Sequence, residues 1–273
     1  MDDDLQPPEV EVNLAIHRPH SARIYDYFLG GTTNFAADRE AAAHALAVIP
    51  WASAAARVNR AFMHRATRFL AESGVTQFLD IGTGIPTSPN LHEIAQRIDP
   101  AARVVYADND PIVLAHAQAL LHSTPEGRTA YVQADVHDPK ALLDTVRETG
   151  VLDFDRPVAL SLVALLHFVP DGAHEIAEVL KAALPAPGSA LVISHFTPDF
   201  DPAVAGRIEE VYRAAENPVR ARTRAEVDRF FDGWQLVEPG IVATAHWRPD
   251  PEVPGEPITP GQAFGYAAVA VRG

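Results

Sequence analysis

The 273-residue chain has no cysteine. This excludes disulfides, thiolate metal sites and thiol nucleophiles, and it suits a reducing compartment, so a cytoplasmic location is expected. Bases are scarce, with 22 Lys and Arg against 36 Asp and Glu, a net charge of −14. Such a chain is a poor partner for a phosphate backbone, and no nucleic acid is expected to bind. No apolar stretch approaches the ~20 unbroken residues that a membrane-spanning helix needs. Met1-Asp2-Asp3-Asp4 has no apolar run behind it, so neither a membrane span nor a signal peptide is expected. No pair of histidines stands at ligand spacing with carboxylates on one helix, so no metal is expected. What is present is 47% apolar residues, enough for the core of one large α/β domain.

Residues 1–20 hold three prolines and no periodicity, and read as a flexible arm. Residues 21–74 read as helical. Ala41 to Val48 is alanine-rich, and Val58, Phe62, Ala66 and Phe69 recur at helical spacing, with Gly74 as a stop. From Val75 onward apolar strand runs fall at 76–81, 103–107, 130–134, 157–164, 189–195, 235–243 and 264–271. Helical stretches at about 89–98, 111–121, 139–148 and 172–184 separate the first five. That alternation predicts a parallel sheet covered on both faces. Ser88-Pro89 and Asp110-Pro111 read as helix caps followed by proline at the first helical position. Thr223-Arg224-Ala225-Glu226 reads as a capping box. Arg248 to Gly261 joins the last two strands, is rich in proline and shows no helix, which predicts an antiparallel hairpin. The expected division is a flexible arm and helical N-terminal cap over 1–50 and an α/β domain over 51–273.

The run Phe78-Leu79-Asp80-Ile81-Gly82-Thr83-Gly84, followed by Val104-Val105-Tyr106-Ala107-Asp108, is a βαβ unit with a glycine turn and an acid closing each strand. Glycine lets backbone N–H groups come close to a ligand. Asp108 is placed to accept from the two vicinal hydroxyls of a ribose. A nicotinamide-dependent oxidoreductase fits poorly. Thr87 stands where the third glycine of that fingerprint belongs, and Pro86 and Pro89 delay the helix. Nor is there a Gly-x-x-x-x-Gly-Lys for a triphosphate. Asp80 inside the turn would repel a phosphate and instead suits a cation, such as the ammonium of an amino acid.

Asp80-Ile-Gly-Thr-Gly, Asp108, and Ala134-Asp135 at the end of the third strand resemble the class I S-adenosylmethionine-dependent methyltransferases. The segment Ser21-Ala-Arg-Ile-Tyr-Asp-Tyr-Phe-Leu-Gly-Gly-Thr-Thr-Asn-Phe-Ala-Ala-Asp-Arg39 resembles the N-terminal signature of an actinobacterial family of uncharacterised S-adenosylmethionine methyltransferases, formerly a domain of unknown function. So do Tyr106-Ala-Asp-Asn-Asp-Pro111, Leu166-His-Phe-Val-Pro-Asp171, Gly188-Ser-Ala-Leu-Val-Ile-Ser-His195, Ala221-Arg-Thr-Arg224 and Val237-Glu-Pro-Gly240. The resemblance implies a Rossmann-like α/β fold, with a seven-stranded, mostly parallel sheet whose last strand is antiparallel. It implies S-adenosyl-L-methionine as cofactor. Gly82 and Gly84 would pass under its methionine part, and Asp80 would reach the ammonium. Asp108 would take the ribose, Asn109 and Asp110 would lie near ribose or adenine, and Asp135 would take the adenine amino group, with Val136 against the ring.

Arg23, Tyr25, Asp26, Asn34, Asp38 and Arg39 crowd around Gly30-Gly31, which is either a joint for a lid or a helix stop. As a lid, the segment closes the cofactor site, with Arg23 and Tyr25 lining it and Asn34 and Arg39 holding the cofactor carboxylate. The fourth strand lacks the Asn/Asp-Pro-Pro-Tyr pattern of many amine methyltransferases, which favours an oxygen acceptor. His167, at the carboxyl end of that strand, is the candidate general base. His195 ends the fifth strand in the same way. His246 and Trp247 read as packing or loop residues, His137 beside Asp138 as a weak candidate, and Tyr212 and Tyr266 as core or rim. Arg220, Arg222 and Arg224 read as a solvated face more than as a site for an acidic substrate. The expected function is a methyltransferase acting on a small molecule. The alternative is a non-catalytic S-adenosylmethionine-binding sensor. The oligomeric state is open, a homodimer included.

Overall fold

The computed structural model describes residues 16–120, 122–251 and 258–273. Most of the expected flexible arm, residues 1–15, lies outside the described residues. Three helices come first: α1 (Ser21–Phe28), α2 (Ala36–Val48) and α3 (Ala52–Glu72). The alternating region follows as β1 (Gln77–Ile81), α4 (Leu91–Ile98), β2 (Arg103–Asp108), α5 (Pro111–Leu120), β3 (Arg128–Gln133), α6 (Pro139–Glu148) and β4 (Ala159–Val163). It continues through a 3-10 turn, Leu166–Phe168, into α7 (Ala173–Ala182), β5 (Ala190–Phe196), α8 (Pro202–Ala214) and α9 (Arg224–Asp228). The chain ends with β6 (Gln235–Leu236), β7 (Val242–Ala243), α10 (Pro260–Ala263) and β8 (Gly265–Val271).

The sheet order is β3-β2-β1-β4-β5-β8-β6, with β7 also paired to β8. The first five strands are parallel and β8 runs antiparallel to β5, as expected. β1 and β5 are buried along their whole length, which is why they read as unbroken apolar runs. The strand expected over 235–243 is two short strands instead. Between them Pro239 has no N–H to give a ladder, and Gly240 turns the chain at φ 78°.

Three helix boundaries also differ. Ser88-Pro89 is not a cap. α4 starts at Leu91 behind Asn90, which forms a capping box with Glu93, while Arg60 holds the carbonyls of Thr87 and Pro89 and keeps residues 87–89 out of the helix. α8 was not anticipated, although Asp201 accepts from Val204 N–H and Pro202 opens the helix. The connection expected to be helix-free contains α10, capped by Thr259 and Gln262.

Two apolar layers cover the sheet. One gathers Leu142, Leu143, Val146, Ile176, Leu180 and Phe230. The other gathers Phe62, Ala66, Leu70, Leu91 and Ile94 with fully buried Trp247, whose ring meets Phe62 and Phe69 edge to face. A third cluster packs Ile24 and Phe28 of α1 and Ala42 and Ala45 of α2 against Phe196, Val204, Ile208, Val219 and Phe264. The N-terminal cap therefore shares one core with α8 and the segment after it.

Ion pairs fasten this cap. Arg23 is 2% exposed, with Nε 3.3 Å from Asp38 Oδ1 and 3.6 Å from Asp110 Oδ2. Asp38 also accepts from the N–H groups of His20 and Phe35. The Gly30-Gly31 pair is a helix stop. Gly30 takes φ 82°, and the N–H groups of Gly30 and Gly31 return to the carbonyls of Tyr27 and Asp26. A Cβ on Gly31 would fall 2.0 Å from Asp26 Oδ1, and Asp26 Oδ2 accepts from Asn34.

Arg23→Met leaves Asp38 and Asp110 buried without their cation. The expected loss is about 3–5 kcal/mol, read as a lower urea midpoint at an unchanged slope. A loss below about 1 kcal/mol would contradict the clamp.

Candidate active site

The carboxyl ends of β1, β2, β4 and β5 open into a cavity of about 370 Å³ roofed by α1, α2 and α3. Its polar end is built on the turn after β1. Gly82 and Gly84 take φ 72° and 66°, and a Cβ on Gly82 would lie 2.6 Å from Leu165. The turn brings Gly84 N–H to Asp108 Oδ2 at 2.8 Å, while Asp110 N–H reaches Asp108 Oδ1 at 3.0 Å. Each oxygen keeps further acceptor capacity, and Asp108 lines the cavity.

Asp80 and Asp108 end adjacent strands and are both 8% exposed. Burial pushes Asp80 up to about 6, against the pull of Ser161, Thr83 and the Arg60 guanidinium. Burial raises Asp108 as well, opposed by the N–H groups of Asp110 and Gly84 and by His20. The positive group facing Asp80 is Arg60 of α3, a cavity residue that sequence reasoning missed. Burial lowers its pKa and Asp80 raises it. No local motif flags Arg60. Its role arises because α3 packs across the mouth of the glycine turn. Its neighbour Asn59 donates to the Tyr25 hydroxyl at 3.0 Å, and that hydroxyl donates to Ala56 O at 2.9 Å, which fixes Tyr25 on the cavity wall.

Asn109, Asp135 and Val136 line the same end. Burial would raise Asp135, but the N–H and imidazole of His137, at 2.9 and 2.7 Å, hold it below the usual carboxylate range. Four expected residues, Asp110, Arg23, Asn34 and Arg39, lie off the cavity wall. Arg39 Nη1 donates to Asn34 O and Oδ1 at 2.7 and 3.2 Å, within the cap. Asp110 accepts from Ile112 N–H at the start of α5 and faces Arg23.

His167 lines the cavity but does not titrate near neutrality. Burial, and then Arg222, push it down to about 3. Behind it, Arg222 Nη1 donates to His195 Nε2 at 2.9 Å, so the His195 proton sits on Nδ1 and is donated to Phe196 O at 2.7 Å. Arg222 is not on a solvated face. It is 2% exposed and donates to the carbonyls of Leu166, Val169 and Pro170, fastening the turn that carries His167. Arg220 and Arg224 are exposed, and Arg220 pairs with Glu226. Tyr212 lines the cavity, whereas the Tyr266 hydroxyl bonds to Asp199 at 3.1 Å. Among the described residues no cluster of side chains suits a metal ion, and no single helix is long and apolar enough to cross a membrane.

Residues 8–273 match the family described as S-adenosyl methyltransferase. No functionally curated protein matches the chain. Among solved structures, a DUF574 family protein from Streptomyces avermitilis is 49% identical over 95% of this chain and 100% of its own, with a TM-score of 0.91. A candidate methyltransferase from Thermobifida fusca is 39% identical over 98% and 99%, with a TM-score of 0.87. A complex of the Haloferax volcanii Trm112 methyltransferase activator and a candidate methyltransferase matches at 17% identity over 80% and 92%, with a TM-score of 0.50, and shares the fold.

A raised carboxyl contributes stability that is complete below its unfolded pKa of roughly 3.9 and is lost as pH rises through its folded value of about 6. Asp80→Asn removes that loss. Urea titrations from pH 4 to pH 8 should show the variant gaining on the parent, by about 2–3 kcal/mol at the upper end. A difference between variant and parent that stays the same from pH 4 to pH 8 would contradict the burial of an ionised Asp80.

Proposed function

The chain belongs to the S-adenosyl methyltransferase family, and we propose that it methylates a small molecule, at oxygen, within the cavity above β1, β2 and β4. S-adenosylmethionine is its cofactor. The observation that carries the reading is the polar end of the cavity, where the buried carboxylates of Asp80 and Asp108 stand on adjacent strands and the half-buried Arg60 guanidinium acts on Asp80. It lies where the strand order reverses between β1 and β4. A ligand with an ammonium, a carboxylate and a ribose meets each of those groups with its complement. Asp80 takes the ammonium, Arg60 the carboxylate and Asp108 the two ribose hydroxyls. Asp135 takes the adenine amino group and Val136 packs on the ring, with Asn109 at the rim. Gly82 and Gly84 leave room for the chain of the ligand to cross the turn.

Bound there, the cofactor supplies an electrophilic methyl group on a sulfonium. This chain's part is to hold the acceptor, keep water out and provide for the acceptor's proton. His167 is unprotonated at neutral pH and too weak a base to ionise a hydroxyl in advance. It can hold that proton in a hydrogen bond and receive it once the oxygen becomes strongly acidic. Water is excluded by α1 and α2 of the N-terminal cap, closed from the other side by α8, above the methyltransferase domain that begins at about residue 51. Arg23, Asn34 and Arg39 act within that cap, and Tyr25 joins it to the cavity. The apolar remainder of the cavity supports a transferase over a sensor, because a sensor has no use for a second compartment beside the cofactor.

Calorimetric titration tests the assignments. Hydrogen bonds to charged groups contribute about 1.5–3 kcal/mol each, so Asp108→Ala should weaken cofactor binding by a factor on the order of 10² or more. Arg60→Gln should weaken S-adenosylmethionine by roughly 10-fold or more and leave its decarboxylated analogue unaffected. Equal losses for both ligands would remove Arg60 from the carboxylate.

A further inference from the structure

Away from Asp80 and Asp108 the cavity wall turns apolar, with Phe28, Ile49, Phe168, Ile208, Val219 and Phe264. The Phe168 and Tyr212 rings meet edge to face at 5.9 Å. Two buried polar atoms in this lining have no hydrogen-bond partner among the described residues, His167 Nδ1 and Asn217 Nδ2. They belong to neighbouring segments. Arg220 N–H donates to His167 O at 2.8 Å, and Asn217 N–H donates to Tyr212 O at the end of α8, so the turn bearing Asn217 lies alongside the turn bearing His167. An unpaired buried polar atom is costly, and two in one apolar wall point to a ligand that completes both.

The kind of ligand follows from donor and acceptor chemistry. Asn217 Nδ2 can only donate. His167 Nδ1 accepts when the ring proton is on Nε2, which is the tautomer in which it can take the proton of a methyl acceptor. A carboxylate would accept from Asn217 but has no proton for His167. An ammonium would donate to His167 but cannot accept from Asn217. A hydroxyl does both. The ionic groups of the wall, His20, Arg60, Asp80, Asp108, Asp135 and His137, all stand at the polar end, so nothing in the apolar half balances a charge.

We propose that the apolar half binds an uncharged aromatic alcohol, a phenol in class, whose oxygen accepts from Asn217 and whose proton is held by His167 Nδ1, and that this molecule is the methyl acceptor. The proposal rests on the cofactor reading of the polar half. Four ring side chains, Phe28, Phe168, Tyr212 and Phe264, suit a flat apolar body.

The test is calorimetry on the full chain saturated with S-adenosylhomocysteine. The probes are phenol, 2-naphthol and 4-phenylphenol, compared with 2-methylnaphthalene, 2-naphthoate and 2-naphthylmethylammonium. At least one of the phenols should bind, and 2-naphthol should bind at least tenfold more tightly than each of the three comparison compounds. Asn217→Leu and His167→Phe should each reduce its advantage over 2-methylnaphthalene to less than about threefold. Val219→Trp should abolish binding of all the phenols. S-adenosylhomocysteine affinity should stay unchanged in all three variants, which also shows that they fold. Failure of the parent protein to bind S-adenosylhomocysteine overturns the cofactor reading, and the acceptor assignment with it. Normal binding of that nucleoside overturns the acceptor proposal alone if no phenol binds, if a charged probe is preferred, or if 2-naphthol is indifferent to Val219→Trp.

Discussion

Two carboxylates kept out of water at the ends of neighbouring strands set the requirements for the rest of this molecule. Burying an ionised carboxyl is unfavourable unless donors or an opposite charge meet it. Asp108 is met by two backbone N–H groups, and one of them reaches it only because the glycine turn passes through positive φ. For Asp80 the Ser161 and Thr83 side chains, and then the guanidinium of Arg60 on a helix from outside the sheet, favour the ionised form without outweighing burial, so its pKa stays raised. The free protein thus holds a cost that, on the proposed reading, a cationic ligand relieves.

The cap follows the same logic at larger scale. Arg23 joins α1 to Asp38 of α2 and to Asp110, two residues beyond the cavity residue Asp108. The roof of the cavity is therefore fastened to the loop that shapes its floor. The roof is not N-terminal alone. α1 and α2 share an apolar cluster with α8 and Val219, so the apolar end of the cavity is enclosed by segments about 170 residues apart in sequence. On the opposite wall Arg222 plays the matching part, fastening the His167 turn through three carbonyls and fixing the tautomer of His195. Both arginines are buried and neither lies on the cavity wall.

What was legible in the sequence was local. The apolar runs, the glycine turn, the acids closing β1, β2 and β3 and the antiparallel last strand follow from patterns within about ten residues. Boundaries failed where two local signals competed. Ser88-Pro89 resembles Asp110-Pro111, yet the box formed by Asn90 and Glu93 starts α4 later, and Pro239 with Gly240 divides what reads as one strand. Side-chain roles that depend on packing were beyond reach. Arg60 becomes a pocket residue only when α3 crosses the glycine turn, and Arg39 lies off the cavity wall with its Nη1 on Asn34. Arg222 reads as surface charge in a stretch of alternating arginines until β5 and the His167 turn close around it. His167 was found by its place at a strand end, but its pKa could not be, since that depends on burial and on a guanidinium 55 residues away in sequence.

The most direct measurement is the affinity for S-adenosylmethionine as a function of pH between 5 and 8. In the free protein Asp80 takes up a proton below about pH 6. A ligand ammonium must displace that proton to pair with the carboxylate. Affinity should therefore be level above pH 7 and fall below pH 6 by up to tenfold per pH unit. The same titration with Asp80→Asn should be weak and flat. A parent affinity that stays constant from pH 8 to pH 5 would contradict the pairing of the buried Asp80 carboxylate with the cofactor's ammonium.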